Sequence, residues 1–184
     1  RRRAVRIFAV HHTFVSADGP NGSGPRHATP PPSGPGTRAG GAAALSAGRR
    51  AAHAAAYVAH DDWRARAEDR LAGAILLSGL YDVARADRNP FQAAYYGEDE
   101  TTYASRSSLE GFAQVSIPCL FTTAEHDPAD FQRQAGWVRE TWAASHGGNC
   151  DFMICKGHNH ITPVLQIGGP DDALGPQLLD FIGR

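Results

Sequence analysis

Residues 116–134 read SIPCLFTTAEHDPADFQRQ. Ile117 to Thr123 is a short apolar, β-branched and aromatic run entered through a proline, the pattern of a buried strand. It ends in the polar turn Ala124-Glu125-His126-Asp127-Pro128, where the proline holds Asp127 out of helical geometry. From Ala129 onward the pattern turns helical. The carboxylate of Asp127 therefore falls just past the C-terminal end of a buried strand, where open α/β sheets gather ligands and chemistry. An acid so placed belongs to a nucleophile–acid–base order if a serine elbow precedes it and a histidine comes after it. Both candidates stand in the chain: Leu45-Ser46-Ala47-Gly48 upstream and Gly157-His158-Asn159-His160 downstream.

Outward from this stretch, strand and helix alternate. Gly73-Ala74-Ile75-Leu76-Leu77-Ser78-Gly79 is a continuous apolar run bounded by glycines, which reads as a buried strand of a parallel sheet. Upstream, Ser46 opens an Ala-rich segment with good helix propensity that reaches about His60. Leu80 to Ser108 is a polar and aromatic excursion, with Asn89-Pro90 and Tyr95-Tyr96-Gly97 as turn signals. Asp130 to His146 reads as an amphipathic helix with Phe131, Ala135, Val138 and Trp142 on one face, ended by Gly147-Gly148. Asp151 to Cys155 is a further short strand that delivers Gly157–His160 at its end, and Gln177 to Ile182 forms a closing helix. The alternation from residue 41 onward predicts an α/β fold with a largely parallel sheet.

Residues 1–40 differ in character. Val5 to Val10 reads as one strand, but Ser16 to Gly41 is dominated by Gly, Pro, Ser, Ala, Thr and Arg. Such a run buries too little apolar surface to offset its ordering entropy, so it reads as long loop or disordered chain. The division expected is thus an atypical segment, 1–40, and an α/β domain, 41–184.

A chain of 184 residues is long enough for a single well-formed core. A net charge of −1 gives no ground for a nucleic-acid partner or an acidic membrane surface. The three cysteines, Cys119, Cys150 and Cys155, lack metal-type spacing and read as free thiols suited to a reducing compartment. No apolar run approaches the roughly 20 residues of a membrane helix. The basic, briefly apolar start lacks a signal-peptide core. The expectation is a soluble, cytoplasmic protein.

The segments AGAILLSGLYD (72–82), NPFQAAYYG (89–97), IPCLFTTAEHDPADFQRQ (117–134) and GHNHITPVLQIG (157–168) together resemble the C-terminal half of α/β-hydrolase esterases. The resemblance, which spans roughly residues 41–184, is to the group related to hormone-sensitive lipase and the arylformamidases. It implies an α/β-hydrolase-like sheet, mostly parallel and flanked by helices. It also implies hydrolysis of a small acyl ester, or of a nearby amide or formamide, with no cofactor and no metal. Carried onto this sequence, the triad is Ser46 as nucleophile, Asp127 as acid and His160 as base. The backbone N–H of Ala47 falls at the oxyanion position. Tyr95 and Tyr96 lie in the excursion where such enzymes build a cap over the acyl pocket.

Two departures from the family pattern stand out. The elbow motif G-x-S-x-G is here Ala44-Leu45-Ser46-Ala47-Gly48, with alanine where the tight turn favours glycine and Arg49-Arg50 where small residues are usual. Residues 1–40 show neither the preceding strands nor an HGGG-type loop. The resemblance therefore predicts a fold incomplete at its N-terminal side, from a truncated or frame-altered region, and an exposed apolar sheet edge that would favour a homodimer. A hydrolase-like module that binds without turning over remains the alternative from another functional class.

Each site residue has a competing local reading. Ser46 before an Ala-rich run is also an N-cap, and Asp127 is also a cap for the helix after Pro128. Glu125, Asp130 and Asp82 compete with Asp127 for the role of acid. His158 competes with His160. In the related enzymes an apolar residue and then a small or acidic one succeed the triad histidine, and His160-Ile161-Thr162 fits that pattern better than His158-Asn159. A His-x-His pair can bind metal, but a third ligand of suitable spacing is missing. Tyr95 and Tyr96 could equally pack a satellite core.

Overall fold

A computed structural model describes residues 7–11, 44–47, 59 and 71–183. The five strands among them form one parallel sheet: β1 (Ile7–His11), β2 (Ala44–Ala47), β3 (Gly73–Leu77), β4 (Cys119–His126) and β5 (Asp151–Asn159). Their spatial order is β2-β1-β3-β4-β5. All five residues of β3 are buried, as are the first six of β4, so both faces of the central sheet are covered. This is why these strands are continuous apolar runs rather than alternating ones.

The two faces bury separate clusters. Ala74 and Leu76 of β3, with Cys119 and Phe121 of β4, point to one side, where Tyr81, Phe112 and Val138 pack against them. Ile75, Leu77 and Leu120 point to the other, against Leu174, Cys155 and Phe181. The first face is covered by α3 (Ala129–His146), whose buried Phe131, Ala135 and Val138 follow the expected spacing. It stops at Gly147, whose φ of +68° is left-handed and whose N–H returns to the carbonyl of Ala143. The second face is covered by α4 (Gly175–Gly183), two residues longer at its start and one at its end than the sequence pattern indicates.

The excursion after β3 is not bare loop. It contains α1 (Pro90–Tyr96), started by an Asn89 side chain that accepts from the N–H of Gln92 at 2.9 Å, and α2 (Tyr103–Arg106). Tyr96 and Tyr103 pack with Leu80, Val83, Ala86 and Phe131 in a third buried cluster.

Two features depart from the sequence reading. The last strand does not end at Cys155. After a register shift between Ala124 and His126 it continues until His126 pairs with Asn159. Gly157 makes this possible with a φ of +73°, a conformation natural to glycine, so the bulge is hidden in what reads as a turn. The second departure concerns residues 7–11, assigned by pattern to the segment outside the domain, which pair with β3 in register, Ile7 with Gly73 through His11 with Leu77. The Gly/Pro-rich run 16–41 and nearly all of the Ala-rich helix after Gly48 lie outside the described residues. Cys119, Cys150 and Cys155 are free thiols, Cys119 and Cys155 buried.

Phe121 is fully buried and sits edge-on to Tyr81, Phe112 and Trp142, with ring centroids 5.9, 5.3 and 5.7 Å apart. Phe121→Ala should cost about 3–5 kcal/mol of stability through the lost burial and the cavity left behind. Urea denaturation would read this as a lower midpoint at unchanged slope. A loss under about 1 kcal/mol would place Phe121 outside the core.

Candidate active site

The site begins where β4 leaves the core. Glu125 and His126 are exposed, but the chain then folds back and the N–H of Asp127 bonds the carbonyl of Ala124 at 3.1 Å. This tight return tucks the Asp127 side chain inward, and the residue is only 4% exposed. A buried carboxylate is tolerated only if donors surround it. Its Oδ2 accepts three hydrogen bonds, each of 2.7 Å, from the hydroxyls of Ser78 and Thr123 and from the N–H of Ala124. Its Oδ1 faces Nδ1 of His160 at 2.6 Å.

Burial by itself pushes the Asp127 carboxyl up. The bonds from His160, the Ala124 N–H, Ser78 and Thr123 outweigh it and hold the group below the ordinary carboxylate range. The ionised acid accepts only, so Nδ1 of a neutral His160 ring carries the proton and the lone pair lies on Nε2. That is the tautomer a general base needs.

His160 comes directly after β5 and is positioned from two sides. The bulge that carries it is tied to β4 by Glu125, whose Oε2 accepts from the N–H of Gly157 at 2.8 Å. That bond, with Lys156 nearby, also lowers the Glu125 carboxyl below its ordinary value. On the other side the ring of Phe131, from the first turn of α3, lies 4.3 Å from the imidazole.

The rival residues lie in other settings. His158 is buried, with Nδ1 3.1 Å from the hydroxyl of Thr162 and Nε2 3.9 Å from the carboxylate of Asp171. Asp82 pairs with Arg85, Asp130 with Arg133 and the N–H of Asp87, and Glu125 with the bulge. Geometry thus brings together Asp127 and His160 among the sequence candidates.

Ser46 and Ala47 are not brought to this pair. Their backbone lies in β2, with Ser46 opposite Val10 and Ala47 opposite His11. Two strands, β1 and β3, stand between β2 and β4. At a strand spacing of about 4.8 Å this is roughly 14 Å across the sheet. Ser46 is also level, through Val10 and Leu76, with Phe121, six residues before Asp127 along β4. The turn between strand and helix expected at Ser46 is instead strand, Ala44–Ala47. Tyr96 is buried in the third cluster with Tyr95 edge-on at 4.7 Å, and burial raises the pKa of its hydroxyl. Phe131 of this cluster lies against the ring of His160.

Sequence reading passes over Ser78, Thr123 and Phe131. Thr123 lies four residues before Asp127 and Phe131 four after it, a spacing that brings each back beside the turn. Ser78 has one signal, its position at the end of the strand next to β4. Among the described residues no cluster of three His, Cys, Asp or Glu side chains is arranged to hold a metal, and no helix is long and apolar enough to cross a membrane.

Compared with known proteins, the sequence matches no family model and no curated protein. Solved structures do share its architecture. An acylaminoacyl peptidase of Pyrococcus horikoshii superposes on 62% of the chain with a TM-score of 0.50 and 17% identity. The fold is α/β-hydrolase-like. A Bacteroides ovatus protein assigned as dipeptidyl aminopeptidase IV covers 72% of the chain with a TM-score of 0.54 and 12% identity. Dipeptidyl peptidase 4 of Porphyromonas gingivalis covers 64% with a TM-score of 0.51 and 16% identity. The chain spans 20%, 17% and 16% of the lengths of these three proteins.

The lowered Asp127 pKa makes stability depend on pH in a definite sense. A carboxyl held below its unfolded value contributes fully above that value, near 3.9, and the contribution is lost as pH falls through the lower folded value. Asp127→Asn should therefore destabilise the protein at pH 7, and the gap to the unsubstituted protein should narrow below about pH 4. Parallel urea titrations at pH 7 and pH 3 would test it. A gap equal at both values would mean that ionised Asp127 gains nothing from its donors.

Proposed function

We propose that the chain is a hydrolase of acyl bonds in which Asp127 and His160 form the acid–base pair. The 2.6 Å bond between Oδ1 and Nδ1 carries this reading, together with its place at the C-terminal ends of two neighbouring parallel strands. In it, His160 takes the proton of an attacking oxygen and returns it to the leaving group, while Asp127 fixes the tautomer and stabilises the imidazolium. The resemblance to esterases supports a small carboxylic ester as substrate and Ser46 as nucleophile, with the N–H of Ala47 at the oxyanion. The peptidase names of the solved structures support an amide or peptide bond instead. Both are acyl transfers that use the same pair.

For Ser46 to serve, residues 44–47 would have to occupy the place next to β3 that β1 holds. That observation favours a second reading, a hydrolase-like module that binds an acyl compound without turning it over.

Purified protein would be offered p-nitrophenyl acetate and butyrate, short peptide p-nitroanilides and a fluorophosphonate probe, beside His160→Ala and Ser46→Ala. The expected outcome is turnover that falls about 10²–10⁴-fold without the imidazole. Probe attachment should map to Ser46. Attachment at another serine would reassign the nucleophile and leave the pair in place. Equal rates in all three proteins would abandon the enzyme in favour of the binding module.

A further inference from the structure

Directly after β3 stands the one non-glycine residue with positive φ among the described residues, Ser78 at +45°. A residue with a Cβ resists this left-handed region, and a position that keeps one there is held by its surroundings. Two contacts hold it. The N–H of Ser78 remains in the ladder, bonded to the carbonyl of Thr122 at 2.9 Å. Its hydroxyl lies 2.7 Å from Oδ2 of Asp127. The next residue leaves little freedom, because a Cβ on Gly79 would lie 2.5 Å from the ring of Tyr81. Ser78 is 4% exposed, so its hydroxyl has no solvent alternative of comparable quality.

Resting on the proposed acid–base pair, we infer that Ser78 is a positioning residue that fixes which oxygen of Asp127 faces His160. A carboxylate can only accept, so the Ser78 hydroxyl donates its hydrogen to Oδ2. That commits the hydroxyl to the acid and not to the base, which separates Ser78 from a nucleophile. Thr123 and the Ala124 N–H also bond Oδ2, but both belong to β4 itself. Ser78 is the donor from another strand, and it stops the carboxylate from rotating about its Cβ–Cγ bond. Oδ1 is thereby left for Nδ1 of His160. The ends of β3, β4 and β5 thus meet on one side chain.

The test compares the unsubstituted protein with Asp127→Asn, Ser78→Ala and Ser78→Gly. Glycine accepts a φ of +45° without strain, so Ser78→Gly removes the hydroxyl while keeping the backbone relaxed. The first readout is the far-downfield proton NMR signal of an imidazole Nδ1–H held by a carboxylate. It should be present in the unsubstituted protein and absent in Asp127→Asn. In both Ser78 variants it should broaden or exchange faster. The second readout is the carboxyl carbon of Asp127, whose titration should move up by roughly one pH unit, tenfold in its ionisation, with one donor lost. On a substrate that is turned over, kcat should fall about tenfold at unchanged KM, the signature of lost orientation rather than lost binding.

A downfield signal absent from the unsubstituted protein, or indifferent to Asp127→Asn, would overturn the acid–base pair and the role of Ser78 with it. A signal that depends on Asp127 but is unchanged in Ser78→Gly, with an unmoved carboxyl titration, would overturn the positioning role alone. Should Ser78→Ala fail to fold, Ser78→Gly decides the matter. Should no substrate be turned over, the two NMR readouts still do.

Discussion

A charged carboxylate shut away from water must find its solvation in the protein, and Asp127 finds it at the meeting point of three strands. Ser78 comes from the end of β3, Thr123 and the Ala124 N–H from β4, and His160 from the end of β5. Charge-assisted bonds of this length are stronger than neutral ones and fix geometry as well as energy. Parallel pairing makes the convergence possible, because every strand then ends on the same side of the sheet. The tight turn after β4 does the rest. Had the chain run on without the Asp127–Ala124 return, the carboxylate would have gone with Glu125 into solvent. The helix α3 inherits the same constraint, since its first turn brings Phe131 against His160.

Much of this is readable from residue pattern, and the reasons are local. The apolar runs at Ile75 and Phe121 are strands because a sheet covered on both faces demands unbroken hydrophobicity. Asp127-Pro128 announces the turn because proline dictates the geometry of its neighbour. The helix 129–146 shows its face by spacing and its end by glycine. The preference for His160 over His158 comes from the resemblance to esterases, through Ile161 and Thr162, and not from local pattern; the structure places Nδ1 of His160 2.6 Å from the Asp127 carboxylate. The features that pattern does not show depend on pairing between distant segments. No local pattern tells that Gly157 forms a bulge and lengthens β5, because a glycine between polar residues looks like any turn. Ser78 is legible as a strand end, but its partner stands 49 residues away.

The N-terminal part fails for a different reason. A strand such as β1 carries five residues of pattern and no signal of address. Ile7–His11 would satisfy any vacant parallel edge that offers backbone partners and an apolar surface. Beside β3 it finds backbone partners, and β2 pairs with its other edge at the rim of the sheet. The resemblance to esterases places Ser46 by motif, which is a statement about one short stretch. The sheet order is a statement about the whole assembly, and the two do not coincide.

That divergence bears on how the pair should be understood chemically. An Asp–His couple does not choose its substrate or even its nucleophile. It supplies a base of the correct tautomer at a defined point, and any hydroxyl or water brought to Nε2 can use it. In the proposed reading the acid and the base therefore need only the ends of β3, β4 and β5, which this chain folds together around Asp127. The nucleophile needs a further strand in the right place. Catalytic identity in such a sheet is divided between a part set by neighbouring strands and a part set by strand order. The Asp127–His160 geometry belongs to the first, and the position of Ser46 to the second.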